Sequence, residues 1–181
     1  VPDNTPVIML PARLTRWKGH EILIEALSLI NDIRFFCVLV GDHDTKKNYR
    51  SELENRIKFK GLTNRVKITG HCRDMVSAYK ISDIVVSASL DPEPFGRVTV
   101  EAQAMGCLVV AADHGGARET IQHNRTGILV EPRNSEALAN GIKKALEMKT
   151  EDRTSMSIAA REFVSGNFSR ETMCYRTMSL Y

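Results

Sequence analysis

Short apolar runs alternate along this chain with segments of helical periodicity, and this alternation restricts the fold more than any other feature. Each apolar run is continuous, which is typical of a strand that is buried on both faces. The predicted strands cover residues 6–10, 34–40, 66–69, 83–87, 107–111 and 126–130. The sequence therefore predicts an α/β fold, a Rossmann-like three-layer structure in which helices cover both faces of a parallel sheet.

The helical segments fall between these strands and after the last one. They cover residues 20–30, 47–60, 75–81, 97–106 and 135–148, with two terminal helices at about 153–164 and 170–180. Gly166 and Asn167 are expected to separate the terminal pair, because glycine disfavours a helix interior. We expect residues 1–181 to form a single domain, since this length suffices for one well-buried core.

Composition excludes several classes of protein. Twenty-five basic and twenty-two acidic residues leave a net charge of +3, which is too small to indicate a nucleic-acid partner. The four cysteines are widely spaced and form no CxxC pair, so neither a zinc site nor a disulfide framework is indicated. No apolar run approaches the ~20 residues of a membrane span, and residues 1–4 are not a signal peptide. We expect a cytoplasmic protein, and the polar start without methionine suggests an excised fragment.

Two glutamates, Glu93 and Glu101, stand seven residues apart in different kinds of backbone. Prolines flank Glu93, which predicts an extended loop, and Gly96 then allows a sharp turn into the helix that carries Glu101. Val98 and Met105 lie at i−3 and i+4 from Glu101, so this carboxylate should share a buried face and need a partner. The helix N-terminus between the two glutamates is a ready anion site. An anion flanked by carboxylates that accept hydroxyl groups describes a sugar joined to a phosphate.

Other readings of these residues stay open on the residues alone. Glu93 could be a solvated loop residue, and Glu101 could pair with an arginine elsewhere. Arg13 and Lys18 could be surface cations, although at the end of the first strand they would also suit a diphosphate. Asp42 and Asp44 could hold Mg²⁺, but nothing nearby completes a coordination set. His71 and His114 are interpreted as turn residues.

An ordered set of motifs runs along the chain: Arg13-Leu14-x3-Lys18-Gly19, Gly70, Ser87-x5-Glu93-Pro94-Phe95-Gly96-x4-Glu101-Ala102-x3-Gly106, Gly115-Gly116-x2-Glu119 and Gly127-x-Leu129-Val130-x-Pro132. Taken together, these motifs resemble the C-terminal half of a family 4 retaining glycosyltransferase (glycosyl transferases group 1) with the GT-B fold. The resemblance covers about residues 6–148, and a Glu-x7-Glu spacing alone would be a weak signal. The pattern departs from the family at Leu108, where a proline is usual.

The resemblance implies a role for each site residue. Glu93, Arg13 and Lys18 would be the catalytic groups, with Glu93 on the donor sugar and the two cations on the diphosphate. Glu101 would bind the ribose hydroxyls. The remaining donor-binding positions would be Phe95, Gly96, Arg97 and Val98 in the anion loop, and Gly41, Cys72 and Arg73 near the base.

The resemblance further implies a hexosyltransferase that retains anomeric configuration and needs no metal or other cofactor. Its partners would be a nucleotide sugar and a carbohydrate or lipid-linked acceptor, the latter held by an N-terminal domain outside this chain. The helices at about 150–181 would lean towards that domain. Peripheral association of the full-length enzyme with the inner face of the membrane is compatible with this family.

Three alternatives differ in class. A non-catalytic nucleotide-sugar-binding module would share every donor contact. A dinucleotide-binding oxidoreductase domain would need a Gly-x-Gly-x-x-Gly turn after the first strand, and residues 10–16 contain no glycine. A glycosidase would use Glu93 and Glu101 as an acid/base pair at one anomeric carbon, which an anion site between them disfavours.

Overall fold

A six-stranded parallel sheet forms the centre of the molecule in the computed structural model, which describes residues 4–42 and 47–179. Each predicted strand is confirmed to within two residues. The strands are β1 (Val7–Pro11), β2 (Phe36–Val40), β3 (Val66–Gly70), β4 (Ile84–Ser87), β5 (Leu108–Ala112) and β6 (Ile128–Val130).

The strand order is β3-β2-β1-β4-β5-β6, and every neighbouring pair is parallel. The chain winds outward from β1 through β2 to β3, then returns to the other side of β1 with β4. Because the winding direction reverses between β1 and β4, the loops that follow these two strands diverge and leave a crevice at their carboxyl ends. The fold therefore predicts a ligand site beyond Pro11 and Ser87.

Eight helices of the described residues follow the strands. They are α1 (His20–Leu29), α2 (Lys47–Phe59), α3 (Met75–Lys80), α4 (Arg97–Ala104), α5 (Ala117–Thr120), α6 (Ser135–Leu146), α7 (Thr150–Phe168) and α8 (Arg170–Met178). A short 3-10 turn at Arg16–Lys18 precedes α1. The four-residue α5 is an addition to the predicted helices, and it is too short to give a periodic signal.

The core lies on both faces of the sheet, because successive side chains of a strand point to opposite faces. Ile8 and Leu10 of β1 pack in one cluster with α1, α2 and α6, whereas Met9 packs in a second cluster with α3, α4 and α5. This arrangement confirms the predicted three layers.

Helix α7 runs along α4 from the amino-end edge of the sheet towards the candidate site. Near its start Arg153 pairs with Asp83, which precedes β4, at 3.1 Å. Midway, Ser157 Oγ donates to the carbonyl of Gly106 at 3.0 Å. At its end the ring of Phe168 packs edge-on against Phe95, with 5.5 Å between centroids. Its last turn therefore contacts the loop that leads into α4.

The predicted break at Gly166 and Asn167 is wrong, because α7 continues through both residues to Phe168. Asn167 Nδ2 donates to the Phe163 carbonyl at 2.8 Å, and the rings of Phe163 and Phe168 pack edge-on. These contacts outweigh the unfavourable propensity of one glycine, which is only about 1 kcal/mol. The break falls instead at Ser169, whose hydroxyl caps α8 by accepting from the Thr172 amide.

Candidate functional site

Two loops meet where the strand order reverses: residues 12–19 after β1 and residues 88–96 after β4. Gly19 makes their approach possible, since a Cβ at this position would lie 1.8 Å from the Ala88 carbonyl oxygen. Its φ of 73° is also one that other residues rarely adopt. The Leu90 amide donates to the Trp17 carbonyl at 2.6 Å, which ties the loops together.

A salt bridge lies at this junction. Lys18 Nζ is 2.8 Å from Glu93 Oε1, and the two side chains are only 14% and 20% exposed. Ser89 Oγ donates a short hydrogen bond to the same oxygen of Glu93. Glu93 is therefore a partly buried carboxylate held by one salt bridge and one hydrogen bond, not a solvated loop residue. Val98 lines a small cavity together with Lys18, Ser89 and Glu93.

The N-terminus of α4 begins directly after this carboxylate. Gly96, with a φ of 77°, forms the N-cap, and no side chain caps the helix. The first-turn amides of Arg97 and Val98 therefore have no capping side chain, and the positive end of the helix dipole points at the crevice. Such a helix start suits a phosphate or another anion.

Buried hydroxyl and amide groups hold this helix start in place. Thr99 Oγ1 donates to the Gly96 carbonyl at 2.7 Å and lies 2.9 Å from Thr120 Oγ1 in α5. Gln103 Nε2 donates to the carbonyls of Thr99 and Thr120 at 3.1 and 2.8 Å. All three side chains are essentially buried. Because buried polar groups are costly to leave unpaired, this network fixes α4 against α5.

The loop before α5 packs on the Glu93 loop without intervening side chains. The Gly116 amide donates to the Glu93 carbonyl at 2.8 Å. A Cβ on Gly116 would lie 2.4 Å from the Phe95 carbonyl oxygen, and one on Gly115 would lie 2.5 Å from that of Glu93. Only glycine allows this approach at either position.

Glu101 lies one helical turn further along α4. The expected buried face is wrong: Glu101 is exposed, while Val98 and Met105 are half-buried. The expected partner is present, since the hydroxyl of buried Tyr79 in α3 donates to Glu101 Oε2 at 2.9 Å. Burial, together with this carboxylate, raises the pKa of Tyr79 above its ordinary value, so the phenol stays a donor.

The other predicted positions lie around the same crevice. Arg13 is exposed in the loop that carries Lys18, and Gly41 packs beside it because a Cβ there would lie 1.9 Å from the Ala12 carbonyl oxygen. Cys72 is half-buried against the α3–α5 face of the core, next to exposed Arg73. The loop before α3 therefore lies on the same face of the sheet as α4.

The suggested pair Asp42 and Asp44 is only partly described, because Asp44 lies outside the described residues. Within residues 4–42 and 47–179, no group of three or more His, Cys, Asp or Glu side chains is placed to hold a metal ion.

Two residues of the site, Tyr79 and Ser89, were not predicted from the sequence. The contact that His114 makes was not predicted either. His114 was interpreted as a turn residue, yet its Nε2 lies 2.8 Å from the Ser89 carbonyl. Tyr79 and His114 meet their partners from another element, so no local spacing marks them. Ser89 lies four residues before Glu93 in the same loop, and this short spacing was the one available signal.

A much larger open cavity lies elsewhere in the described structure. It has a volume of about 880 Å³ between α6 and α7, and its lining includes Lys143, Lys149 and Asp152. It shares no lining residue with the crevice. Size therefore does not locate the site in this fold, whereas the strand-order reversal and the paired charges do. No helix within the described ranges combines the length and apolarity that crossing a membrane requires.

The model of the family described as glycosyl transferases group 1 matches residues 1–163. A glycosyltransferase from Rickettsia africae has a solved structure that is 42% identical, with a TM-score of 0.96 over 100% of this chain and 48% of its own. HepE from Anabaena, solved in complex with UDP-glucose, is 36% identical, with a TM-score of 0.89 over 98% of this chain and 50% of its own.

A curated relative from Mycobacterium tuberculosis is a GDP-mannose-dependent alpha-(1-6)-phosphatidylinositol monomannoside mannosyltransferase. It is 28% identical over 178 residues, which are 93% of this chain and 45% of the relative. This chain thus spans about half the length of the proteins it matches.

Proposed function

The chain belongs to the family of glycosyl transferases group 1, and we propose that it is the donor-binding half of an enzyme that transfers a sugar from a nucleotide-diphosphate sugar to a hydroxyl acceptor. The observation that carries the proposal is the Lys18–Glu93 pair at the start of α4, where the strand order reverses. There a cation and a helix N-terminus that suit a diphosphate stand beside a carboxylate that suits a sugar hydroxyl.

The crevice supports a division of roles among its residues. Lys18 and Arg13 bind the diphosphate, with the amides of Arg97 and Val98 adding the positive end of the α4 dipole. Glu93 accepts a sugar hydroxyl beside the Phe95–Gly96 turn. Glu101 accepts the ribose hydroxyls on the side that Gly41, Cys72 and Arg73 border.

Charge balance supports a reaction without a metal ion. The departing diphosphate needs positive charge, and the two cations with the helix N-terminus supply it. The helix N-terminus is already in place, whereas Lys18 exchanges part of its contact with Glu93 for the diphosphate.

Retention of anomeric configuration belongs to the same proposal. A retaining transfer needs the acceptor hydroxyl on the face from which the diphosphate leaves, and such positioning supplies up to roughly 7–11 kcal/mol in the best cases. The relatives are about twice as long as this chain, so we assign acceptor binding, carbohydrate or lipid-linked, to the remaining half of the full-length enzyme.

The experiment is a calorimetric titration of this chain with UDP, GDP, ADP and their sugar conjugates, in EDTA and in Mg²⁺. The titration includes UDP-glucose and GDP-mannose, since HepE was solved with the former and the mycobacterial relative depends on the latter. We expect one nucleotide to bind with the same affinity in both buffers. Binding that collapses in EDTA would reinstate the suggestion of a metal at Asp42 and Asp44.

A non-catalytic nucleotide-sugar-binding module would give the same titration. Sugar transfer by the full-length protein separates the two functions, and its product should keep the anomeric configuration of the donor. Donor binding without any transfer or donor hydrolysis would favour the binding module.

A further inference from the structure

We propose that Ser89 and His114 are positioning residues for Glu93, holding one of its carboxylate oxygens so that the other is presented to a hydroxyl of the donor sugar. The inference rests on the proposed function and adds to it the groups that orient the sugar-binding carboxylate.

Both contacts of the Glu93 carboxylate fall on the same oxygen. Ser89 Oγ donates to Oε1, and Lys18 Nζ lies 2.8 Å from Oε1. No residue in the described part of the chain donates to Oε2. An ionised carboxylate offers about four lone-pair sites over its two oxygens, so Oε2 keeps its full capacity for a ligand hydroxyl.

The two donors differ in what a bound ligand does to them. Lys18 is also proposed to bind the diphosphate, whose negative oxygens compete with Glu93 for the ammonium group. The Ser89 hydroxyl is neutral, and the residue is only 4% exposed. Ser89 therefore keeps Oε1 in place while Lys18 turns towards the diphosphate. Without it, the carboxylate would be free to rotate when the ligand arrives.

His114 fixes Ser89 from the neighbouring strand. Its Nε2 lies 2.8 Å from the Ser89 carbonyl oxygen, and because a carbonyl only accepts, Nε2 carries the proton. His114 follows β5, so the contact ties the loop after β5 to the loop after β4. The Glu93 carboxylate is thus oriented through a chain of two hydrogen bonds from a second strand end.

The other ring nitrogen of His114, Nδ1, is buried and has no hydrogen-bond partner in the described structure. His114, Ser89 and Glu93 line one small cavity together with Gly96. The side chains that hold and orient Glu93 therefore surround one space at the start of α4.

A structural role for Ser89 would affect every ligand alike, whereas a role in orienting Glu93 affects only ligands that carry the sugar. The test is therefore binding of matched pairs to this chain: UDP against UDP-glucose, and GDP against GDP-mannose. We expect Ser89→Ala to weaken binding of the sugar conjugate about tenfold and to leave the plain nucleoside diphosphate within twofold of wild type. His114→Ala should act in the same direction, and Ser89→Thr, which keeps the hydroxyl, should restore binding.

The chain offers a matched control in Ser82, which is 8% exposed and donates to the Ala78 carbonyl at 2.7 Å, outside the crevice. Ser82→Ala should leave both members of each pair unchanged. In a double-mutant cycle, Ser89→Ala should add nothing to Glu93→Gln, because the two act through one carboxylate. Should Ser89→Ala unfold the chain, Ser89→Cys keeps the side-chain size with a weak donor, and an intermediate loss for the sugar conjugate is expected.

Equal losses for the two members of a pair, or additive losses in the cycle, would overturn the inference while leaving the proposed function in place. Failure of the wild-type chain to bind UDP, GDP, ADP or any of their sugar conjugates would overturn the proposed function, and the inference with it.

Discussion

Lys18 Nζ lies 2.8 Å from Glu93 Oε1, and this contact joins the loop after β1 to the loop after β4 at the point where the strand order reverses. The pair brings together the two kinds of group that a sugar diphosphate requires. Each partner protects the other from an unpaired, partly buried charge, which would be costly. A diphosphate that binds Lys18 must therefore replace part of the negative charge that Glu93 provides. A sugar hydroxyl that binds Glu93 must likewise replace part of its contact with Lys18.

Glu101 is predicted to recognise the ribose. Glu101→Gln should weaken nucleoside diphosphate binding by roughly 1–3 kcal/mol, the scale of a hydrogen bond to a charged group. Glucose 1-phosphate, which has no ribose, should bind as it does to wild type. Tyr79→Phe, which removes the donor at 2.9 Å from Glu101, should cause a smaller loss in the same direction.

Glu162→Gln, an exposed change on α7, is the control for loss of one negative charge. If glucose 1-phosphate loses as much affinity as the nucleotide, Glu101 binds the sugar. If neither ligand is affected, the pair with Tyr79 is structural.

Gly116→Ala is predicted to disturb the Glu93 loop by steric contact alone. Gly116 has a φ of −60°, which alanine adopts freely, but its Cβ would lie 2.4 Å from the Phe95 carbonyl oxygen. Relief of such overpacking typically costs about 1–3 kcal/mol of stability, and displacement of the loop should weaken binding of a sugar nucleotide. Urea unfolding and calorimetry measure the two effects.

The matched control is Gly166→Ala, because Gly166 lies inside α7 with no atom within 4 Å of an added Cβ. It should raise stability by about 0.5–1 kcal/mol, the usual gain in a helix interior. If the Gly116→Ala protein is as stable as wild type and binds the sugar nucleotide as well, the loop accommodates the added methyl group and the prediction is wrong.

His20 makes the stability depend on pH. The residue is fully buried, and its pKa is lowered from 6.5 to about 4, mainly by burial and to a smaller extent by the nearby charge of Lys18. Between these values the unfolded chain binds a proton that the folded chain does not, so stability falls as the pH drops from 6.5 to 4. The loss attributable to His20 should reach roughly 2.5 kcal/mol by pH 4.5.

His20→Gln should remove this part of the pH dependence, because glutamine does not titrate. The free energy of unfolding of both proteins at pH 7 and pH 4.5 provides the comparison. The carboxylates contribute equally to both, so a pH dependence that is the same in wild type and variant would refute the assignment to His20.

The sheet and most helices could be predicted because their signals are local. Continuous apolar runs such as Ile84–Ser87 mark buried strands, and the periodicity of 135–146 marks a helix, whatever the rest of the chain does. The break predicted at Gly166 failed because the contact of Phe168 with Phe95, more than seventy residues away in sequence, decides the local structure.

The residues of the candidate site likewise divide into those with a local sequence signal and those without one. Glu93, Gly96 and Lys18 could be identified, since prolines, glycine and strand ends fix their backbone and place them on one rim. Tyr79 and His114 could not, because their contacts with Glu101 and Ser89 span 22 and 25 positions. Ser89 lies only 4 positions before Glu93, but both are in a loop, where no periodic pattern predicts a contact. The predicted burial of Glu101 failed because helical spacing gives the face of a residue but not the depth to which the neighbouring helix covers it.

Calorimetric titration of Lys18→Met and Glu93→Gln with a nucleoside diphosphate and with its sugar conjugate separates the roles of the two residues. Lys67→Met, an exposed change on β3, controls for the loss of one positive charge. If Lys18 binds the diphosphate and Glu93 the sugar, Lys18→Met should weaken both ligands by roughly 1.5–3 kcal/mol. Glu93→Gln should weaken only the conjugate. If both variants bind both ligands like wild type, the pair is a structural salt bridge and the crevice is not the donor site.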